Sequence, residues 1–152
     1  LLEKEIEKNI IVFDSDCNRN KNYYNYLNNT NQSSFDLLTR QKNYFSITNL
    51  IHLLNNNNDN IILCSIIMAS LKNRKYNKFL LSKRCNYKEI FIDTDINECV
   101  KRDTRNLYMS TNKNIIGLDI PFEKGNPDLI LTNKNINENI EKIFQDYLYK
   151  HI

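Results

Sequence analysis

The chain has 152 residues, which fits one domain with a real core. Lysine and arginine number 21 against 18 acidic residues and form no prominent basic block, so a nucleic-acid polymer is not the default partner. No apolar run approaches the roughly eighteen residues of a membrane span, and the opening LLEKEIEKN is too charged for a signal peptide, so the sequence reads as soluble and cytoplasmic with no membrane partner.

The first apolar run, IIVF (Ile10 to Phe13), reads as a buried strand and leads into FDSDCNR, which carries Asp14, Asp16 and Arg19. Asp-Ser-Asp after a strand is often an ordinary polar turn, and a substrate and Mg²⁺ site is the alternative. LLTRQKNYFSITNLIHLL (Leu37 to Leu54) has helical period, with Arg40 and Asn43 three apart on one face. That pair suits either a solvated face or a binding site. The run NNNNDN reads as a solvated loop between two apolar segments.

A second strand is expected at IILCSII (Ile61 to Ile67), followed by Met68, Ser70 and Arg74. The third, EIFID (Glu89 to Asp93), leads into the helical segment INECVKRD (Ile96 to Asp103). The fourth, DLILT (Asp128 to Thr132), precedes NENIEKIFQDYLYKHI, in which Ile140, Ile143, Phe144, Tyr147 and Leu148 share one helical face. Runs without polar alternation suit a parallel sheet covered on both faces, and strand alternating with helix argues for an α/β layer fold with right-handed crossovers. Ligands of such sheets sit beyond the carboxyl ends of the strands, where charge gathers here.

The cysteines at 17, 64, 85 and 99 lack C-x-x-C spacing and read as reduced thiols in or near the core. His52 and His151 have no neighbours that make a nucleophile or metal set, and they read as surface or boundary residues.

Four stretches in order resemble the adenylylsulfate kinases, P-loop kinases that phosphorylate the ribose 3′-hydroxyl of adenosine 5′-phosphosulfate. DSDCNR is similar to the family's D-G-D-N-x-R through Asp14, Asp16 and Arg19. SFDLLTRQKN is similar to G-F-S-x-x-x-R-x-x-N through Phe35, Arg40 and Asn43. FIDTDINECVKRDTRNLY resembles F-[IV]-D-T-x-x-x-x-C-x-x-R-D-x-x-x-L-Y through Asp93, Cys99, Arg102, Asp103, Leu107 and Tyr108. IIGLDIPFEKGNP resembles F-T-G-I-D-x-P-[YF]-E…N-P through Gly117, Asp119, Pro121, Phe122, Glu123, Asn126 and Pro127.

The resemblance implies a three-layer P-loop kinase-type parallel sheet with helices on both faces. It makes residues 1–152 one N-terminally truncated domain with a lid at 104–125. ATP and Mg²⁺ are the implied cofactors, a small nucleotide is the implied partner, and a homodimer is among the assemblies allowed. It gives Asp16 and Asp14 the acceptor hydroxyl, and Arg19, Phe35, Arg40, Asn43, Ile115 and Gly117 the substrate. Arg102, Asp103, Tyr108 and Asp119 fall to ATP and the lid, with local hydrogen bonding as the other role for Asp119 and Glu123. No metal ligand set is certain.

Departures from the pattern are informative. The G-x-x-x-x-G-K-[ST] loop is absent, since the chain has two glycines, Gly117 and Gly125, and neither lies in such a motif. The first strand, central in this kinase fold, is missing as well, and LLEKEIEKN resembles the end of the helix that follows the loop. Ile115 stands where the family has a base-stacking phenylalanine, while IMASL and NYFS replace arginine-bearing segments. Those changes leave open a capsule-biosynthesis kinase acting on another nucleotide, such as a cytidine diphosphoramidate, or a non-catalytic homologue without the loop.

Overall fold

The structure is a computed structural model that describes residues 9–15, 37–54, 60–109, 114–132, 136–143 and 145–146. Asp16, Arg19, Phe35, Cys17 and His151 lie outside the described residues, as do 110–113 within the expected lid. The chain divides by contact into two units, one of Glu7–Tyr87 and Thr111–Glu123, the other of Leu1–Ile6, Lys88–Ser110 and Lys124–Ile152.

In the first unit β1 (Asn9–Asp14) pairs in parallel with β2 (Asn60–Ser65), from Asn9 opposite Asn60 to Asp14 opposite Ser65. A bond from Ser15 N to Ser65 O at 2.9 Å carries the ladder one residue further. Between the strands runs α1 (Leu37–Leu54), eighteen residues without glycine or proline to break it. Its buried positions, Thr39, Arg40, Tyr44 and Thr48, recur at helical spacing along one face. Thr48 turns its hydroxyl back to the Tyr44 carbonyl at 2.8 Å, which lets a polar side chain be buried without an orphaned donor.

A helix not expected from the sequence, α2 (Leu71–Leu81), follows β2. Its buried residues are Arg74, Asn77 and Leu81, a mostly polar face that hydrophobic periodicity does not reveal. Phe45 of α1 meets Tyr76 of α2 edge to face, with ring centroids 5.7 Å apart.

The second unit holds a second parallel pair, β3 (Ile90–Asp93) with β4 (Leu129–Thr132), from Ile90 opposite Leu129 to Asp93 opposite Thr132. Asp128 sets the start of this pairing. Its Oδ2 accepts from Glu89 N at 2.9 Å, and its own N donates to Glu89 O at 2.9 Å. After β3 comes α3 (Ile96–Lys101), capped by Asp95, whose Oδ1 accepts from Asn97 N at 2.8 Å. After β4 comes α4 (Ile136–Ile143), where the expectation was a helix through 152; of its proposed apolar face, Ile140 is exposed.

The described strands are parallel, as expected, and form two pairs, with no described strand joining them. Two expectations need correction. The apolar runs are not covered on both faces, because Val12 is 68% and Ile10 51% exposed, and β4 buries Leu129 and Leu131 while exposing the residues between and after them. In the first unit the inward face of α1 is polar, and the buried apolar residues are Tyr44, Met68, Ala69, Leu81 and Ile115, which sit largely in loops beyond β2. The three described cysteines are free, as expected, and Cys85 and Cys99 are half-buried, but Cys64 is exposed at β2 rather than near the core.

Candidate functional site

The first unit gathers its chemistry around the carboxyl end of β2. Tyr44 Oη donates to Ile67 O at 2.5 Å, just past the strand, and so fixes α1 to the loop that follows. One turn earlier on the same face, Arg40 donates from Nη2 to Asn114 O at 3.1 Å. Arg40 is 8% exposed, which contradicts a solvated face and gives its guanidinium a backbone partner. Asn43 is half-buried on the same helix.

Asn114 opens a compact turn. Ile115 O accepts from Leu118 N, Asp119 N and Ile120 N at 3.2, 2.9 and 3.1 Å, and Gly117 N donates to Ile120 O at 2.8 Å. Gly117 has φ 95°, a conformation that a Cβ would penalise. Asp119 Oδ2 accepts from Ile115 N at 2.9 Å, so this carboxylate holds the turn through a local bond. Ile115 is 8% exposed and packs inward. Arg40, Ile115, Gly117 and Asp119 are thereby brought together.

At the end of β1, Asp14 lies exposed opposite Ser65. Burial of the thiol group pushes the Cys64 pKa up, and the nearby Asp14 carboxylate pushes it further. The residue as a whole is exposed while its sulfur is partly desolvated, and the direction of the shift follows the sulfur.

The second unit carries Arg102, Asp103 and Tyr108, expected on the ATP and lid side, whereas Asp119, expected with them, lies in the turn of the first unit. Arg102 is the C-cap of α3, and its Nη2 lies 4.0 Å from Glu98 Oε2 with the guanidinium largely exposed. The closer Glu98 contact is Lys101 Nζ at 2.8 Å; that hydrogen bond lowers the Glu98 pKa and raises that of Lys101. Asp103 is occupied locally: Oδ1 accepts from Arg105 N at 3.1 Å and Oδ2 from Tyr108 N at 2.7 Å. It therefore builds the turn that presents Tyr108. Burial raises the Tyr108 pKa, with the Cys99 thiol and the Asp103 carboxylate adding in the same direction.

Several residues with no role assigned from sequence organise these sites. Arg74, noted only as lying beyond the second strand, is buried among backbone carbonyls. Lys124 donates to Asp93 Oδ2 at 2.8 Å and lies 5.2 Å from the Phe91 ring centroid. The positions of Asp93 and Asp128 at strand ends were the available signal. Nothing local announces the partners, which are distant in sequence.

Strands alternating with helices, with polar groups gathered beyond the strand ends, make an α/β fold of known type. It is similar to the structure of the Mycobacterium tuberculosis APS kinase CysC in complex with AMPPNP and APS, with a TM-score of 0.76 at 22% identity over 91% of this chain and 79% of that one. The adenylylsulphate kinase family matches residues 5–132, and the chain belongs to that family. Among curated proteins it is 33% identical over 95 residues to a cytidine diphosphoramidate kinase of Campylobacter jejuni, covering 58% of this chain and 55% of the relative. It is 31% identical over 123 residues to an adenylyl-sulfate kinase of Buchnera aphidicola, covering 78% of this chain and 59% of the relative. The chain thus spans less than two thirds of the length of these two relatives.

Proposed function

We propose that this chain is the acceptor-binding part of an ATP-dependent nucleotide kinase whose acceptor is adenosine 5′-phosphosulfate, phosphorylated on its ribose 3′-hydroxyl. The observation that carries the reading is the contact of Arg40 with Asn114. Two stretches that match separate family motifs meet there, in one unit, beside the carboxyl end of β2.

In this reading Asp16 accepts a hydrogen bond from the ribose hydroxyl and then its proton, with Asp14 beside it. Arg19 and Arg40 offset the charge of the acceptor's phosphate, Phe35 and Ile115 flank the base, and Asn43 and Gly117 complete the pocket. Arg102, Asp103, Tyr108 and Asp119 belong to the donor side and its lid. Phosphoryl transfer needs positioning and positive charge more than a reactive side chain, which suits this set. A closing lid would keep water from the donor.

The residues at hand do not fit the donor's phosphates. Gly117 and Gly125 are the only glycines, and among the described residues no three His, Cys, Asp or Glu gather as a metal set. In this reading ATP and Mg²⁺ are the cofactors, and the phosphate loop that would hold them is not among the residues of this chain. Among the described residues no helix is long and apolar enough to cross a membrane.

One observation favours a second acceptor. Ile115, where the family has an aromatic residue, is packed inward, and a cytidine diphosphoramidate kinase is among the relatives. A cytidine nucleotide offers less surface to a lost stacking wall. Titrating adenosine 5′-phosphosulfate against cytidine diphosphate derivatives decides between them, and failure of both to bind refutes the acceptor assignment.

A further inference from the structure

We propose that Arg74 and Glu123 form a reciprocal clasp that fixes the loop from Ile67 to Ser70, and that Arg74 is thereby a positioning residue for the acceptor nucleotide. That loop follows the carboxyl end of β2, beside which the function proposed above places the acceptor, and its role rests on that reading.

Arg74 reaches back from α2 with a guanidinium that is almost wholly buried. Nη1 donates to Met68 O at 2.6 Å and to Ala69 O at 3.1 Å, and Nη2 donates to Glu123 O. Its Cζ lies 4.7 Å from the Phe122 ring centroid, on which the flat cation rests. Glu123 answers in the other direction. Its N donates to Ala69 O at 3.1 Å, and its Oε2 accepts from Leu71 N at 2.5 Å, satisfying a free donor at the start of α2.

Each partner thus holds the other's segment as well as its own. Asn77 adds a contact from Nδ2 to Met68 Sδ at 3.3 Å, and Tyr44 holds Ile67 O, so carbonyls of three successive residues, 67 to 69, are spoken for. The loop's shape is over-determined by residues from α1, α2 and the segment after the 114–120 turn. All of them lie in one unit, so the clasp needs no contribution from the other.

The chemistry requires arginine. A guanidinium presents a planar fork of donors to carbonyls on two different segments and stacks on an aromatic ring at once. Lysine keeps the charge but offers a point donor that cannot span both segments, and burying it with fewer partners is costly. The cost is read as a loop that no longer holds one shape, while the strands of the unit are untouched.

The test uses the 152-residue chain as wild type, Arg74→Lys and Glu123→Ala. Hydrogen exchange is followed at the Leu71 and Glu123 amides and along β1 and β2, and binding is titrated with adenosine 5′-phosphosulfate and with cytidine diphosphate. The clasp predicts that Arg74→Lys speeds exchange at those two amides while β1 and β2 keep their protection. It also predicts that affinity for the preferred nucleotide falls about tenfold or more, as expected for a lost charged hydrogen bond. Faster exchange with unchanged affinity overturns the positioning role, and unchanged exchange overturns the clasp itself. A wild-type chain that protects both amides yet binds neither nucleotide refutes the acceptor assignment, and the positioning role falls with it. Should Arg74→Lys not fold, Glu123→Ala decides, because it removes one carboxylate and leaves the guanidinium in place; wild-type affinity in that variant overturns the proposal.

Discussion

Arg40 on α1 and Asn114, 74 residues later, are joined by a hydrogen bond of 3.1 Å from the guanidinium Nη2 to the carbonyl oxygen. Asn114 sits at φ 68°, a left-handed conformation that asparagine tolerates better than most residues, and its carbonyl is part-buried. Arg40→Met would strand that acceptor. We expect it to destabilise the chain by about 1–3 kcal/mol, read by chemical denaturation. Acceptor affinity should fall further than in a destabilised variant elsewhere on α1, such as Thr48→Ala.

In the function proposed above Ile115 flanks the base. Aromatic stacking is worth about 1–3 kcal/mol per base, so its loss corresponds to roughly five- to more than a hundred-fold in affinity. Ile115→Phe should shift preference toward the adenine nucleotide, measured as the ratio of dissociation constants for adenosine 5′-phosphosulfate and cytidine diphosphate. Because Ile115 is 8% exposed, the larger ring should also cost about 1–3 kcal/mol of stability through overpacking. An unchanged ratio would remove Ile115 from the pocket.

Asp16 and Arg102 separate acceptor from donor in an enzyme carrying a phosphate loop. Asp16→Asn should lower the rate of transfer with little change in ATP affinity. Arg102→Ala should mainly weaken ATP binding. Its ion pair with Glu98 is 4.0 Å long and exposed, so little stability rests on it and a lost ATP affinity would not be a folding effect. If both variants keep wild-type rates and affinities, the assignment of these residues fails.

Cys64 reports on Asp14. Its thiol pKa is raised by burial first and by the Asp14 carboxylate second, so the thiolate forms later than in a free cysteine. A raised native pKa contributes stability at pH values below the unfolded pKa, and the contribution is lost as pH rises through the native one. Alkylation of Cys64, followed by peptide mapping between pH 7.5 and 10, should be slower than that of a free thiol. Asp14→Asn should accelerate it. An unchanged rate would mean the carboxylate does not face the sulfur.

How much of this was legible in the sequence depended on whether the signal was local. The four strands stand within two residues of the apolar runs, and α1 spans Leu37–Leu54 as its period indicated. α2 escaped notice because Arg74 and Asn77, not leucines, form most of its buried face, although Ser70 could have announced its cap. Burial was the least legible quantity. Val12 reads as core but is exposed, while Arg40, left between a solvated face and a binding site, and Arg74, only noted beyond the second strand, are buried, because carbonyls some fifty to seventy residues away satisfy their guanidinium groups. The resemblance gave Arg40, Ile115 and Gly117 to the substrate and Asp119 to the lid, and no local signal told that Arg40 and the turn holding the other three meet at Asn114. Local bonding was one of the two roles open for Asp119, and its bond to Ile115 N is of that kind; the bonds of Asp103 were not foreseen, since a carboxylate's partner is a matter of backbone geometry.

Transfer of labelled γ-phosphate from ATP to adenosine 5′-phosphosulfate tests the central claim most directly, with residues 1–152 alone and with the same residues preceded by a strand and a glycine-rich phosphate loop of the family. The account predicts no transfer by the first protein and phosphorylation of the ribose 3′-hydroxyl by the second. Turnover by residues 1–152 alone, or a loop-bearing protein that phosphorylates neither the adenine nor a cytidine nucleotide, would contradict it.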